Sequence, residues 1–508
     1  MKRACAALIL SVLCALSVAE AQQVPFLSEL FSRYEEFNRL LTAKLGSGAK
    51  LAAIEPLRKR GEEAFKRGNI PGIIELIGQS TAVLEGKQWD DKQQFIASLT
   101  LETDRVVIEP NADLHVSLTR IYQTNVDQAY AATPTVTFEV AVAAPASGSS
   151  APGPVQPMLI AHRLPIAVTS SNASRRILLA DGAYWVVARI ESGGQTIAEL
   201  KRPLYAISNF SDSVAQMSKT ISAIKTSTDP KVRPLAPLTS TPEFQLQRLS
   251  QLNKSRSDAE IDPSRELDRI EDALSAIAKG QNPFSRERGE LERAYQSPDG
   301  KLVPYRIYVP KNYDGATITP LVVMLHGVLG DEGYYFSGLF DPAVIKGEAE
   351  RRGWILAGVN GRGRFSGYVG LAADDSFEVV KCVTRDYRID ASRIYLTGHS
   401  MGGSGTWLIA STKPELFAAI APVSGGALMK GEALEALLAK TRGLPAMVVH
   451  GARDGIAPPQ HSRDMVSAAQ KSGLEVNHLE IPDADHMSIL AATFPAILDF
   501  FEKNTKVK

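Results

Sequence analysis

A chain of 508 residues is longer than one hydrophobic core ordinarily organises, about 100–200 residues, so several domains are expected. With 44% hydrophobic and 22% charged residues, the composition excludes a disordered or fibrous chain. The equal counts of 56 basic and 56 acidic residues exclude an overall field drawing the chain to nucleic acid or an anionic membrane.

At the N-terminus Lys2 and Arg3 precede an apolar run from Ala4 to Val18 that ends in Ala19-Glu20-Ala21. This is the pattern of an export signal over residues 1–21, and the run is short for a bilayer span. Leu13, directly before Cys14, is bulkier than a lipoprotein signal wants. No later apolar stretch is long and uncharged enough to span a bilayer. The expectation is a secreted or periplasmic protein with no integral membrane association after cleavage. Removal of 1–21 takes away Cys5 and Cys14, leaving Cys382 alone, so an intrachain disulfide is impossible and stability must come from packed cores.

Leu27, Leu30, Phe31, Tyr34, Phe37 and Leu41 recur at the spacing of one helix face. Similar runs, including Ile73, Ile74, Leu76 and Ile77, extend the helical region over 22–100. From about 101 to 207 the period becomes two: Leu114, Val116 and Leu118, then Val136, Phe138, Val140 and Val142 alternate with other residues. Asp181-Gly182 precedes the strand-like run Tyr184 to Ile190, so a β-sandwich-like domain is expected, with Ala144 to Pro154 as a surface connection. Either ligand binding or plain packing suits this domain. Over 208–285 a helical linker region is expected. Pro230, Pro234, Pro237 and Pro242 hold part of it extended, and Asp262-Pro263 opens a helix whose buried face is Leu267, Ile270, Leu274 and Ile277.

Residues 286–508 alternate apolar strand runs with helical patterns, as in a mostly parallel sheet covered by helices on both faces. The fold class is therefore α/β. Ser297-Pro298-Asp299-Gly300 is a hairpin signal between two early strands. Leu321 to Leu325, Ile355 to Val359, Ile394 to Thr397 and Met447 to Val449 read as short buried strands.

The string Thr397-Gly398-His399-Ser400-Met401-Gly402-Gly403 carries G-x-S-x-G between a strand and a helix. By chance such a pentapeptide arises about 0.2 times in a chain of this composition, so its context decides. Glycines flank a serine where a tight strand-to-helix turn leaves no room for side chains. A serine hydroxyl needs a base, and the base needs an orienting carboxylate. Asp454, in His450-Gly451-Ala452-Arg453-Asp454, and His486, in Asp483-Ala484-Asp485-His486, follow in that order, with Asp483 and Asp485 as alternatives for the acid. His450, His461 and His478 have no matching position, and His399 reads as a filler of the turn. Backbone donors for an oxyanion are expected from Met401 and from the loop His326-Gly327-Val328, at Val328 with Gly327 as the alternative. Tyr334, Tyr335 and Phe336 are core or pocket aromatics. The loop Gly361 to Tyr368 either contacts an anionic or carbohydrate part of a substrate or is simply solvated.

His326-Gly327, the turn around Ser400, Asp454, His486 and the lead-in Tyr387-Arg388-Ile389-Asp390 to Gly398 resemble secreted esterases of the α/β-hydrolase superfamily, notably the polyhydroxybutyrate depolymerase-like and feruloyl esterase-like group. The resemblance covers the C-terminal domain only. It implies ester hydrolysis through an acyl-serine, with a small-molecule or polymeric ester as substrate and no cofactor. About twenty residues between the strand at Ala418 to Val423 and that at Met447 leave no room for a large lid. Two rivals remain: a prolyl oligopeptidase-like serine peptidase, and a catalytically silent binding protein. Oligomeric state is not legible.

Overall fold

The computed structural model describes residues 69–121, 135–142, 156–163, 170–192, 195–250, 261–328, 330–336, 341–363, 366–426 and 429–506, with scattered single positions between Arg33 and Arg67. The export signal, most of the helix face Leu27 to Leu41 and the connection Ala144 to Pro154 lie outside the described residues. The chain forms two compact units, one of Ala21–Ala223 with Gln245–Leu274, the other of Ile224–Phe244 with Ser275–Lys508.

In the first of these, α1 (Ile70–Glu85) begins at Asn69, whose side chain accepts the Gly72 amide at 3.0 Å, and ends at Gly86 in the left-handed region. Its Ile73, Ile74, Leu76 and Ile77 are buried as their spacing predicts. The short α2 (Asp91–Ala97) leads into β1 (Leu99–Thr103), β2 (Val107–Ile108), β3 (Ala112–Arg120), β4 (Thr135–Val142), β5 (Gln156–Arg163), β6 (Ser170–Ile177), β7 (Gly182–Ser192) and β8 (Gln195–Ala206). These make two sheets, β1-β3-β6 and β2-β8-β7-β4-β5. Leu101, Leu114, Val116 and Leu118 of one share a core with Val136, Phe138, Val140, Val186, Ala188 and Ile190 of the other. That is a β-sandwich: alternate residues of both sheets point inward because each sheet has one face to bury.

α3 (Phe210–Lys225) follows. The prolines expected to hold the chain extended instead shape a 3-10 helix, Arg233–Thr239, running into α4 (Ser240–Leu249). The fixed φ of proline suits a 3-10 turn as well as an extended chain. Packing decides between them: Leu238 and Thr239 are buried, and the Thr241 hydroxyl accepts the Ala294 amide at 3.0 Å. α5 (Pro263–Ala278) starts as predicted, with Asp262 Oδ1 accepting the Ser264 amide at 3.1 Å.

The second unit is built on β9 (Gly289–Gln296), β10 (Leu302–Val309), β11 (Thr319–Leu325), α6 (Pro342–Arg352), β12 (Ile355–Val359), α7 (Leu371–Asp386), β13 (Ile389–His399), α8 (Met401–Thr412), β14 (Ala419–Val423), α9 (Glu432–Lys440), β15 (Ala446–Gly451), α10 (Pro459–Lys471), β16 (Val476–Ile481) and α11 (Ile489–Lys503). Its sheet runs β16-β15-β14-β13-β11-β12-β10-β9, parallel from β16 to β12 and antiparallel for the β9-β10 hairpin. Successive residues of β11 serve opposite cores. Leu321, Val323 and Leu325 pack with α7, α8 and α10, while Val322 and Met324 pack with α6 and α11. A strand buried on both faces has no polar position to spare, which is why β11 reads as an unbroken apolar run. Tyr334, Tyr335 and Phe336 belong to this second core.

Phe138 is fully buried at the centre of the sandwich. Phe138→Ala is expected to destabilise that unit by about 3–5 kcal/mol. Urea unfolding followed by far-ultraviolet circular dichroism checks this, and a loss under about 1 kcal/mol contradicts a packed sandwich core.

Candidate active site

β13 runs straight into Ser400, which stands at the head of α8 with φ 57° and ψ −115°. A residue with a side chain rarely adopts a positive φ, and holding it there costs on the order of 1–3 kcal/mol. The surroundings impose it. Ser400 donates its amide to the Val423 carbonyl at 2.8 Å. A Cβ on Gly398 would lie 2.2 Å from the Gly402 carbonyl oxygen, and one on Gly402 2.2 Å from that of Leu325. The two glycines therefore let three backbone segments touch, and the serine between them projects at the C-terminal edge of the sheet.

Asp454 follows β15 and His486 follows β16 at the same edge. His486 Nδ1 donates to Asp454 Oδ2 at 2.6 Å, and both side chains are buried. The alternatives lie elsewhere. Asp483 pairs with Arg453 on the surface, and Asp485 Oδ1 accepts the Met487 and Ser488 amides at the approach to α11. Burial alone would push the Asp454 carboxyl up, but N–H donors from His450 and His486, with the Ala457 amide, hold it well below the usual carboxylate range. It is an anion at neutral pH. The remaining nitrogen of His486, Nε2, is buried and has no hydrogen-bond partner among the described residues.

Two histidines set aside on sequence grounds turn out to border this pair. His450, at the end of β15, places Nε2 3.1 Å from Asp454 Oδ2. His399, beside the serine, lies against His486 with ring centroids 4.6 Å apart and the rings tilted by 50°. Its Nε2 faces the His486 carbonyl at 2.7 Å, which can only accept, so that nitrogen carries the proton and Tyr334 donates its hydroxyl to Nδ1 at 2.8 Å. Burial, with His486 close by, lowers the pKa of His399 well below the ordinary imidazole value and keeps the ring neutral. The sequence signal was position alone: each stands at the C-terminal end of a parallel strand. His461 is exposed on α10 and His478 is exposed on β16.

Val328 lies in the turn after β11, closed by the Gly330 amide donating to the Gly327 carbonyl at 3.1 Å. Met401 is the first residue of α8, whose amide has no acceptor within its own helix. The loop is fixed through polar side chains. His326 turns Nδ1 and Nε2 to the Gly327 and Asn360 carbonyls at 2.7 and 2.8 Å, and Tyr368 donates its hydroxyl to the His326 carbonyl at 3.2 Å. Arg362 does not reach outward for a substrate; its guanidinium is taken up by Asp375, Asp299 and Ser297. Among the described residues, no three His, Cys, Asp or Glu side chains are grouped to hold a metal ion.

Glu332, in the same loop, accepts the Asn360 side-chain amide at 2.6 Å. Burial, reinforced by Asp331, pushes its carboxyl up to about 7. A folded-state pKa above the unfolded one adds stability that is complete below about 4.5 and is lost as pH rises to about 7. Glu332→Gln should therefore flatten the fall in stability across that window. Denaturant midpoints measured from pH 4.5 to 7.5 check this, and equal slopes in both proteins contradict it.

A model of the prolyl oligopeptidase family matches residues 370–442. A probable acetylxylan esterase A of Neosartorya fischeri is 32% identical over 173 residues, covering 30% of this chain and 44% of that protein. Feruloyl esterase B of Neurospora crassa is 35% identical over 130 residues, covering 23% of this chain and 42% of that protein. Among solved structures, a fluorophosphonate-binding serine hydrolase of Staphylococcus aureus aligns with 42% of this chain and 99% of its own, at 19% identity and a TM-score of 0.36. The chain thus spans less than half the length of the curated relatives it matches. Sheet order, the strained serine turn and the sequence likenesses agree that the C-terminal unit is an α/β-hydrolase domain of esterase-like sequence.

Proposed function

We propose that the protein is a serine hydrolase that cleaves a carboxylic ester through an acyl-serine intermediate, with Ser400 as nucleophile, His486 as base and Asp454 as the orienting acid. One observation carries this reading. The buried His486 ring is pinned through Nδ1 by an anionic carboxylate, its Nε2 is unpartnered among the described residues, and it lies in ring contact with the residue preceding Ser400.

In this mechanism Asp454 fixes the tautomer that leaves Nε2 free to accept. As Ser400 Oγ bonds to the ester carbonyl carbon, its proton moves to His486 Nε2 and the carbonyl oxygen becomes an oxyanion. The amides of Val328 and Met401 are the proposed donors to that oxygen. Collapse of the adduct breaks the bond to the leaving oxygen, which departs as an alcohol carrying the proton from Nε2. A water then gives a proton to the same nitrogen, attacks the acyl-serine and releases the carboxylic acid, restoring Ser400. Asp454 stays ionised throughout.

Among the described residues between β14 and β15 the helix is α9, nine residues long, and so short a connection leaves no room for a large lid, which suits small or polymer-borne esters better than dispersed lipid. Among the described residues no helix is long and apolar enough to cross a membrane. The N-terminal pattern of Lys2, Arg3, the apolar run and Ala19-Glu20-Ala21 supports export to the secreted or periplasmic space. The match to the prolyl oligopeptidase family supports a second reading, cleavage of a peptide bond by the same residues. The strands of 99–206 favour the ester: those described form sheets of three and five strands, not the repeated four-stranded blades of a propeller.

Ser400→Ala should lower hydrolysis of a short aryl acetate by about four orders of magnitude or more and abolish labelling by a fluorophosphonate. Retained turnover moves the nucleophile elsewhere. A panel of acetyl, feruloyl, polyester and peptide substrates should give turnover on esters and none on peptides, and the opposite result selects the peptidase. Asp454→Asn should cost about 10⁴ in kcat, whereas Asp485→Asn should stay within about tenfold. Reversed effects would reassign the acid.

A further inference from the structure

Asp454 is shared by two buried histidines, and the proposed mechanism uses only one of them. His486 Nδ1 and His450 Nε2 meet the same carboxylate oxygen, at 2.6 and 3.1 Å. The His450 side chain is fully buried. Its Nε2 also faces the Ala457 carbonyl at 3.0 Å, and its Nδ1 lies 2.6 Å from the hydroxyl of Ser462 on α10.

Proton positions follow from what each partner can do. An ionised carboxylate and a carbonyl only accept, so Nε2 of His450 carries a proton. The Ser462 hydroxyl donates to the Gly425 carbonyl at 3.2 Å, and its oxygen stands 2.6 Å from Nδ1. Ser462, His450 and Asp454 are thereby linked, with His486 on the same carboxylate oxygen.

The Asp454 anion raises the readiness of His486 to hold a proton, and each further donor on that carboxylate weakens the pull. The N–H dipole of His450 also turns its positive end toward the place where His486 becomes cationic. Resting on the reading of Asp454 and His486 as the acid and base of the reaction, we infer that His450, held by Ser462, is a positioning residue that fixes the Asp454 carboxylate and lowers the basicity of His486. It touches neither Ser400 nor the substrate. The other titratable groups around it are His399, from β13, and His478 and Glu480, from β16. Among the described residues, Asp454 takes its hydrogen bonds from His450, His486, Ile456 and Ala457 and from none of these three.

The test is the pH profile of kcat/KM for a short aryl ester, whose acidic limb reports the base in the free enzyme. It is measured on the full chain, with circular dichroism to establish folding. His450→Leu removes the donor, so the acidic limb should move up by about one pH unit and the plateau should drop about tenfold. His450→Gln offers an amide N–H where Nε2 stood, and should restore most of the rate and bring the limb back. If His450→Leu does not fold, Ser462→Ala reports in its place. Without the hydroxyl the ring is held less firmly on the carboxylate, and the limb should move up by about half a unit.

An acidic limb that stays in place in His450→Leu, or equal losses in the Leu and Gln variants, overturns the inference and leaves His450 as packing. Failure of the underlying reading looks different: Ser400→Ala would then keep its activity, whatever His450 does.

Discussion

A carboxylate taken out of water must be met by donors, and the C-terminal unit is arranged around one such group. Asp454 receives two imidazole N–H groups at Oδ2 and the amides of Ile456 and Ala457, at 2.9 and 2.8 Å, on Oδ1. The amides come from the turn directly after β15, so part of the stabilisation is local. The imidazoles come from the end of β15 and the loop after β16, and therefore require the two strands to be in register. They are, with His450 opposite Glu480 and Gly451 opposite Ile481. The parallel sheet thus does more than supply a core. It sets the distance at which a buried anion becomes tolerable, and removing one partner would leave charge uncompensated, the costly way to break such a pair.

The same edge of the sheet carries the second constraint, the positive φ of Ser400. Strain at one residue persists only where neighbours over-determine it. Here the determinants are backbone atoms: the Val423 carbonyl that accepts the Ser400 amide, and the carbonyls against which Gly398 and Gly402 are pressed. All belong to β11, β13, β14 or the start of α8, the most deeply buried part of the unit. A serine on a flexible loop would relax, whereas one between two buried strands cannot.

Much of this was legible in the sequence because it is local. The unbroken apolar run of β11, the Ser297 to Gly300 hairpin signal, the alternation of Leu114, Val116 and Leu118, and the Asp262 cap each depend on neighbours within a few residues. What was not legible depends on side chains far apart in the chain. Asp483 and Asp485 are nearer to His486 in sequence than Asp454 is, and only the meeting of β15 and β16 decides which carboxylate reaches the ring. Arg362 looked available for a substrate until Asp299, Ser297 and Asp375, from two other elements, closed around it. The prolines of 230–242 failed as a guide for a related reason: their φ fits two conformations, and a buried leucine, not the prolines, selects one.

The two histidines flanking His486 show how one residue type can serve opposite ends of the proposed base. His399 is driven to its neutral form by burial and by His486 itself, and spends its single N–H on the His486 backbone carbonyl. A neutral ring there adds no charge to oppose an imidazolium on His486, while its ring contact and hydrogen bond hold that residue against the serine turn. Tyr334, which orients His399, also packs on Gly327, where a Cβ would come within 2.6 Å of its hydroxyl. The loop carrying Val328, the turn carrying Ser400 and the backbone of His486 are therefore joined through one tyrosine and one imidazole. His450 acts from the other side, on the carboxylate. In the proposed reaction, placement of the base follows from the first contact and its proton affinity from the second. Substitutions at His399 should then alter geometry at the serine without the displacement of the acidic limb that marks the loss of a donor to Asp454.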